Sequence, residues 1–111
     1  MVLGAGGSAR AVVYALTHMK CEIGIYNRTR ENAESLCSDL GVEATVLTEK
    51  TISEFIRSSH LVVNTTSLGQ QKGEENNLID FDSLNSSTHV YDLIYNPSKT
   101  TFLKHAEKSG C

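Results

Sequence analysis

The stretch Val2-Leu3-Gly4-Ala5-Gly6-Gly7-Ser8-Ala9 (residues 2–9) decides the fold of this chain. An apolar run leads directly into a G-x-G-x-x-A fingerprint, and a helical pattern follows, its apolar stripe made by Ala9, Val12, Val13 and Leu16. A strand, a glycine turn and a helix in this order form the first unit of a dinucleotide-binding α/β fold. Gly4 would allow the tight turn, Gly6 would let a diphosphate approach the backbone, and Ala9 would let the helix pack on the sheet.

The start of this helix is also the candidate anion site. The backbone N–H groups of Gly7, Ser8 and Ala9 would hold a diphosphate, helped by the positive end of the helix dipole. The alternative is a glycine turn that only connects packed elements.

The rest of the chain alternates β-rich runs with helical patterns, which is typical of a parallel α/β sheet. Helices are predicted from the glycine turn to about Lys20, from Thr29 to Gly41, from a capping box at Thr51–Glu54, and around Phe102, Leu103 and Ala106. A polar, mobile loop is predicted at Gln70–Asn77. With right-handed crossovers, the pattern predicts a Rossmann-type doubly wound parallel sheet in a three-layer α/β/α arrangement, strand order 3-2-1-4-5. The predicted strands cover residues 1–3, 22–26, 44–47, 61–64 and 90–95.

The first predicted strand, Met1–Leu3, is shorter than the usual five or six residues. We therefore expect a truncated first strand, with further residues before Met1 in a parent chain. Residues 1–111 are enough for one domain and too few for two. A second domain would lie outside this fragment.

Composition excludes several classes of function. The net charge of -3 argues against a nucleic-acid binder, and no apolar run approaches the roughly 20 residues of a membrane span. An odd number of cysteines without close spacing (Cys21, Cys37 and Cys111) fits a reducing cytoplasm. No C-x-x-C spacing or histidine cluster suggests a metal site.

The end of the second strand indicates which dinucleotide would bind. An NAD site has Asp or Glu there, whereas this chain has Asn27, followed by Arg28, Thr29 and Arg30. Arg28 can pair with a 2′-phosphate and lie flat on adenine, and Asn27 and Thr29 can donate hydrogen bonds. The sequence therefore favours NADP, the alternative being that Arg28 and Arg30 are solvated charges at a helix start.

Asn64, Thr65 and Thr66 follow the fourth strand, next to the first strand in the predicted order. Ligands of doubly wound folds bind outside the carboxyl ends of such strands, so these residues could line the nicotinamide half of the cofactor. Polar turns that merely end a strand are the alternative.

Four segments together resemble the NADP-binding domain of shikimate dehydrogenases: GAGGSARA at 4–11, NRT at 27–29, NTTSLG at 64–69 and VYDLIYNPSKTTFLKHAEKSG at 90–110. The resemblance covers nearly the whole chain. It implies that residues 27–32, including Asn32, surround the 2′-phosphate and adenosine, and that Leu93 touches the nicotinamide end. It further implies that Tyr95 reaches the bound shikimate and that Asp92 holds the strand end. For Tyr95, a core aromatic at a strand end is the alternative.

The reaction implied by the resemblance is reversible hydride transfer between NADPH and 3-dehydroshikimate. Its acid/base Lys and assisting Asp belong to an N-terminal substrate domain, and no segment of this chain is similar to that domain. The fragment is therefore expected to be inactive alone. A quinate/shikimate-type paralogue, an enzyme acting on an aminated analogue, and a non-catalytic NADP-sensing module are the alternatives.

Overall fold

Five short strands and four helices form the structure, a computed structural model that describes residues 1–111. The strands are β1 (Val2–Leu3), β2 (Gly24–Tyr26), β3 (Thr45–Val46), β4 (Leu61–Asn64) and β5 (His89–Asp92). The helices are α1 (Gly7–His18), α2 (Arg30–Leu40), α3 (Ile52–Arg57) and α4 (Thr101–Lys108), and a 3₁₀ turn covers Phe81–Ser83.

All strand pairs are parallel, and the order is β3-β2-β1-β4-β5. This confirms the predicted doubly wound sheet and its strand order. In the centre of the sheet, Val2 lies opposite Ile25 on one side and Val63 on the other. The chain crosses from β3 to β4 past β1, so the change of winding direction falls between β1 and β4, where such folds open a crevice.

The sheet carries one apolar core on each face. Val2 and Leu3 are both 0% exposed, and because successive strand residues point to opposite faces, each joins a different core. Val2 packs with the residues that α1 and α2 turn towards the sheet, including Val13 and Leu36. Leu3 packs with a core that contains Ile56 and Phe102, from α3 and α4. Burial on both faces explains why the central strands are continuously apolar.

Of two predicted signals at helix ends, one is confirmed and the other is wrong. Gly41 ends α2 in the left-handed conformation, with φ +61°, as its position predicted. The predicted capping box at Thr51–Glu54 was wrong, because the Thr51 side chain makes no cap bond to α3. Its hydroxyl instead accepts a hydrogen bond from the Thr48 N–H at 2.9 Å, within the preceding turn.

Two other segments also differ from the prediction. β5 ends at Asp92 rather than Tyr95, because the Asp92 carboxylate accepts the N–H of Ile94 at 3.0 Å and turns the chain out of the sheet. The polar segment 70–77 forms no helix or strand, but it is anchored to the fold. Asn76 is buried, and the backbone carbonyl of Glu74 accepts a hydrogen bond from the Thr101 hydroxyl at 3.0 Å.

None of the four helices combines the length and apolar character needed to cross a lipid bilayer.

Candidate functional site

Several predicted site residues meet at one edge of the sheet, where parallel strands present their carboxyl ends. The predicted residues that line neither of the cavities found there are Ala5, Gly6, Gly7, Ala9, Arg30, Asn32 and Asn64. Two neighbouring cavities lie there, of about 430 Å³ and about 290 Å³. Thr66 and Ser67 line both, so the cavities form one cleft. The larger is also lined by Ser8, Thr65, Gln70, Leu93, Ile94, Tyr95 and Asn96. The smaller is also lined by Gly4, Tyr26, Asn27, Arg28, Thr29, Leu68 and Leu78.

The turn after β1 requires glycine at Gly4. Its φ is +105°, a conformation that side chains rarely adopt, and its N–H donates to the Tyr26 carbonyl at 2.8 Å. A Cβ at this position would lie 2.5 Å from the Thr65 hydroxyl oxygen. That hydroxyl is fixed, because it donates to the Leu3 carbonyl at 2.6 Å. Gly4 therefore lets the loops after β1 and β4 approach each other at the floor of the cleft.

Ser8, in the first turn of α1, lines the larger cavity of the cleft, and the backbone donors of this turn are unpaired. The backbone N–H groups of Gly7, Ser8 and Ala9 donate to no acceptor in the protein, and no side chain caps the helix at Gly6. A Cβ on Gly6 would meet no atom within 4 Å. Open space above a turn with unpaired N–H groups, together with the positive end of the helix dipole, suits an anionic group such as a diphosphate.

Arg28 is the exposed cation at the other end of the cleft. It makes no ion pair, whereas Arg30 donates to the Glu34 carboxylate at 2.9 Å along α2. The Asn27 side-chain amide donates to the Thr29 carbonyl at 2.8 Å and fixes the shape of this loop. An anionic ligand at this end would therefore meet the unpaired guanidinium of Arg28 before that of Arg30.

A third cavity, of about 590 Å³, lies on the far side of Arg28. Glu49 and Asp80 also line it, so its charge is mixed. Both carboxylate oxygens of Asp80 are occupied, one by the Asp82 N–H at 3.1 Å and one by the Ser83 hydroxyl at 2.9 Å. Glu49 makes no ion pair, so it remains an unneutralised negative charge in the cavity that it shares with Arg28.

Asn64 does not line the cleft with its side chain. The residue is 0% exposed, and its amide bonds Asp92 on one side and Thr66 on the other. The Asn64 side chain therefore does not make the expected direct contact with a cofactor. It lies beneath Thr66 and supports it. Thr65 and Thr66 are half-buried and line the cleft, and their contact with a cofactor stays a prediction.

Leu93 and Tyr95 lie at the outer end of the larger cavity. Leu93 is 37% exposed, and its N–H still bonds the Asn64 carbonyl at 3.1 Å. Tyr95 is 90% exposed, so the alternative of a core aromatic at a strand end was wrong. An exposed ring beside the cleft is free to contact a group bound there.

The lining of the two cleft cavities contrasts with that of a neighbouring cavity of about 440 Å³, which shares Gln70 and Asn96 with the larger of them and is lined by Lys72, Glu74, Lys99 and Lys104. No Lys, His, Asp or Glu lines either cleft cavity, and no cluster of three metal-ligating side chains occurs in the structure. Burial raises the pKa of the Cys37 and Cys111 thiols, and neither lines the cleft. Leu78 lines the cavities on both sides of Arg28, and its role was not predictable because it lies in a polar segment without a recognisable signal.

The family model and the curated relatives that match this chain agree on one protein family. The family model described as shikimate / quinate 5-dehydrogenase matches residues 1–86. A shikimate dehydrogenase (NADP(+)) of Roseobacter denitrificans is 45% identical over 100% of this chain and 40% of its own length. One of Prochlorococcus marinus subsp. pastoris is 37% identical over 100% of this chain and 42% of its own length. The chain thus spans about two fifths of the curated relatives it matches.

Solved structures agree with these sequence matches. The quinate dehydrogenase of Corynebacterium glutamicum in complex with NAD superposes with a TM-score of 0.83 at 30% identity, covering 99% of this chain and 41% of that one. The shikimate 5-dehydrogenase of Thermus thermophilus in complex with NADP(H) and shikimate gives 0.78 at 32% identity, covering 98% and 39%.

Proposed function

The chain belongs to the shikimate / quinate 5-dehydrogenase family, and from this premise we propose that residues 1–111 are its NADP(H)-binding domain. The whole protein would catalyse the reversible NADPH-dependent reduction of 3-dehydroshikimate to shikimate, a step of aromatic amino acid biosynthesis. Three unpaired cysteines fit a cytoplasmic location.

One observation carries the proposal for the cofactor. Ser8, whose backbone N–H is unpaired at the start of α1, and Arg28, whose guanidinium is unpaired, line the same cleft, and both positions favour negative charge. NADP carries a diphosphate in its middle and a third phosphate at the adenosine end. The two features of the cleft match these two kinds of phosphate.

Each end of the cleft has a separate task in this proposal. Residues 4–9 hold the diphosphate, and residues 27–32 surround the adenosine, with Arg28 on the 2′-phosphate. Thr65, Thr66 and Leu93 border the nicotinamide half. NADPH, when bound, supplies the hydride, and the protein orients it and limits the access of water.

Substrate binding is proposed to involve a second domain. Tyr95 stands exposed at the end of the cleft, where it could contact shikimate held from the other side. No lysine, histidine or carboxyl group lines the two cleft cavities. The family resemblance implies that the acid/base Lys and Asp belong to the second domain. The fragment alone would bind cofactor without turnover.

A quinate-type dehydrogenase that uses NAD is the second candidate. Glu49 shares a cavity with Arg28, and a carboxylate near the adenosine ribose is characteristic of NAD sites. A relative of solved structure, the quinate dehydrogenase of Corynebacterium glutamicum, is in complex with NAD. A non-catalytic NADP-sensing module would bind the same cofactor, and only the rest of the protein would distinguish it.

Parallel calorimetric titrations of the chain with NADP and NAD test the proposal. NADP should bind more tightly, and Arg28→Ala should weaken NADP binding about 10- to 100-fold, the usual range for a charge-assisted hydrogen bond, while changing NAD binding by less than about threefold. Arg57→Ala is the matched control, because Arg57 is exposed at the end of α3 and lines none of the cavities of the cleft.

Equal affinity for the two dinucleotides would refute the assignment to NADP and favour the quinate-type candidate. Failure of the chain to bind either one would refute the cofactor-domain proposal itself.

A further inference from the structure

A chain of hydrogen bonds runs beneath the cleft from Thr66 to the start of α4. The Oδ1 atom of Asn64 accepts the N–H of Thr66 at 3.1 Å and its hydroxyl at 2.7 Å. The Nδ2 atom of Asn64 donates to Oδ1 of Asp92 at 3.0 Å. Asp92 Oδ2 accepts the hydroxyl of Thr100, the N-cap of α4, at 2.7 Å. Asn64 and Asp92, which are 28 positions apart in sequence, therefore support one wall of the cleft together.

The Asn64 amide has only one possible orientation. A backbone N–H can only donate, so the amide oxygen must face Thr66. An ionised carboxylate can only accept, so the amide nitrogen must face Asp92. Asp92 Oδ1 is itself held by the N–H of Ile94 at 3.0 Å, which keeps the carboxylate in place. Because Asn64 is 0% exposed, water cannot replace either partner without opening the core.

This orientation decides the hydrogen-bonding character of Thr66. A threonine hydroxyl has one proton and two lone pairs, and the proton is donated to Asn64. One lone pair accepts the N–H of Leu68 at 3.3 Å. The Thr66 oxygen thus has one lone pair left and no proton to offer. A ligand group that reaches this oxygen must itself be a donor.

We propose that Asp92 is a positioning residue which, through Asn64, fixes the Thr66 hydroxyl as a hydrogen-bond acceptor for an N–H or O–H group of the bound dinucleotide. The inference rests on the proposed function for its ligand. A ribose hydroxyl and the nicotinamide carboxamide are groups of this kind, whereas ionised phosphate oxygens are not. Thr66 would therefore help to keep the phosphates at the start of α1 and at Arg28.

A double-mutant cycle on NADP binding tests the coupling. Thr66→Val should raise the dissociation constant about 3- to 10-fold, the effect of one lost hydrogen bond, whereas Thr66→Ser should stay within about twofold of the parent chain. Asp92→Ala should have an effect similar to that of Thr66→Val. In the Thr66→Val background, Asp92→Ala should raise the dissociation constant by less than about twofold more. The Thr66 hydroxyl, through which Asp92 acts on the ligand, is already absent in that background.

The conservative variant Asp92→Asn should restore binding. Its side-chain oxygen can keep the Asn64 and Ile94 bonds, and its side-chain amide N–H can donate to the Thr100 hydroxyl, which then accepts. Thr88→Val is a control for lost buried hydroxyls. Thr88 is 3% exposed and bonds the Ser59 carbonyl at 2.8 Å, away from the cleft, so this variant should lower the melting temperature without changing NADP affinity.

Two results would overturn the inference. If the fold-changes in the NADP dissociation constant caused by Asp92→Ala and Thr66→Val multiply in the double variant, Asp92 acts independently of Thr66. Equally weak binding by Thr66→Ser and Thr66→Val would mean that the hydroxyl is not used, and this comparison remains valid even if Asp92→Ala fails to fold.

Hydrogen exchange of the Asn64 side-chain amide gives a test that needs no ligand. Protection should be lost in Asp92→Ala and kept in Asp92→Asn, and unchanged protection in Asp92→Ala would contradict the proposed positioning. A parent chain that shows the expected protection pattern but does not bind NADP would refute the proposed function and leave the hydrogen-bond arrangement standing.

Discussion

Gly4 and Gly6 belong to the same turn, but a side chain would meet different surroundings at each position. At Gly4 the φ of +105° and the Thr65 hydroxyl at 2.5 Å leave no space for a Cβ. At Gly6 the backbone is extended, with φ -86° and ψ -164°, and a Cβ would meet nothing. Gly4 is therefore required by the backbone conformation and by the close approach of Thr65, whereas Gly6 adjoins open space.

Substitution by alanine should separate these two roles. Gly4→Ala should lower the free energy of unfolding by about 1–3 kcal/mol, because of backbone strain and the displaced Thr65. Gly6→Ala should cost less than about 1 kcal/mol of stability, yet should reduce NADP affinity at least about tenfold by occupying the approach to the N–H groups. Chemical denaturation and calorimetric titration of both variants measure the two effects. A Gly6→Ala variant with undiminished affinity would remove the diphosphate from this turn.

The spacing of the fingerprint was enough to predict both glycines, but the position of Asn64 was not predictable in this way. A run of polar residues after a strand looks the same whether the first side chain faces a cleft or the core. Its burial depends on Asp92, which lies 28 residues later. Such a pairing becomes visible only when the neighbouring strands are placed side by side.

At the level of the elements, α3 and α4 show how helix starts compete with their surroundings. Both are preceded by threonine. The Thr100 hydroxyl accepts the Leu103 N–H at 3.3 Å and donates to Asp92, so it caps α4 and attaches it to β5. The Thr51 hydroxyl is used by the turn at Thr48 and leaves α3 uncapped. The T-x-x-E pattern was present at α3, but local turn bonds prevailed over it.

Thr100→Ala and Thr51→Ala form a matched pair that measures this difference. Thr100→Ala should lower the free energy of unfolding by about 1–2 kcal/mol, since a cap and a bond to a carboxylate are both lost. Thr51→Ala should lower it by only about 0.5 kcal/mol, because its bonds are exposed. Urea denaturation followed by circular dichroism gives both values. Equal losses would contradict the assignment of the caps.

For the whole molecule, the alternation of strands and helices was sufficient to predict the order of the sheet. Right-handed crossovers leave few topologies for such a pattern, and the glycine turn places β1 at the centre. The course of segment 70–77 was not predictable, because its polar composition suggested only a loop. Its anchoring depends on Thr101, from a distant part of the chain, and on the burial of Asn76.

The parallel sheet also explains why predicted binding residues from four separate segments line one cleft. Strands that run in the same direction end at the same edge, so the loops after β1, β2, β4 and β5 meet there. We propose that this edge binds NADP, with its phosphates at the start of α1 and at Arg28.

Mapping the backbone amides of the ¹⁵N-labelled chain during an NADP titration tests this binding mode. We expect the largest chemical-shift changes at Gly6–Ala9, at Arg28–Thr29 and at Thr66, and no change at the amides of Glu43 and Thr45, which lie in a cavity distant from the cleft residues. An unchanged spectrum, or shifts that avoid the start of α1, would contradict it.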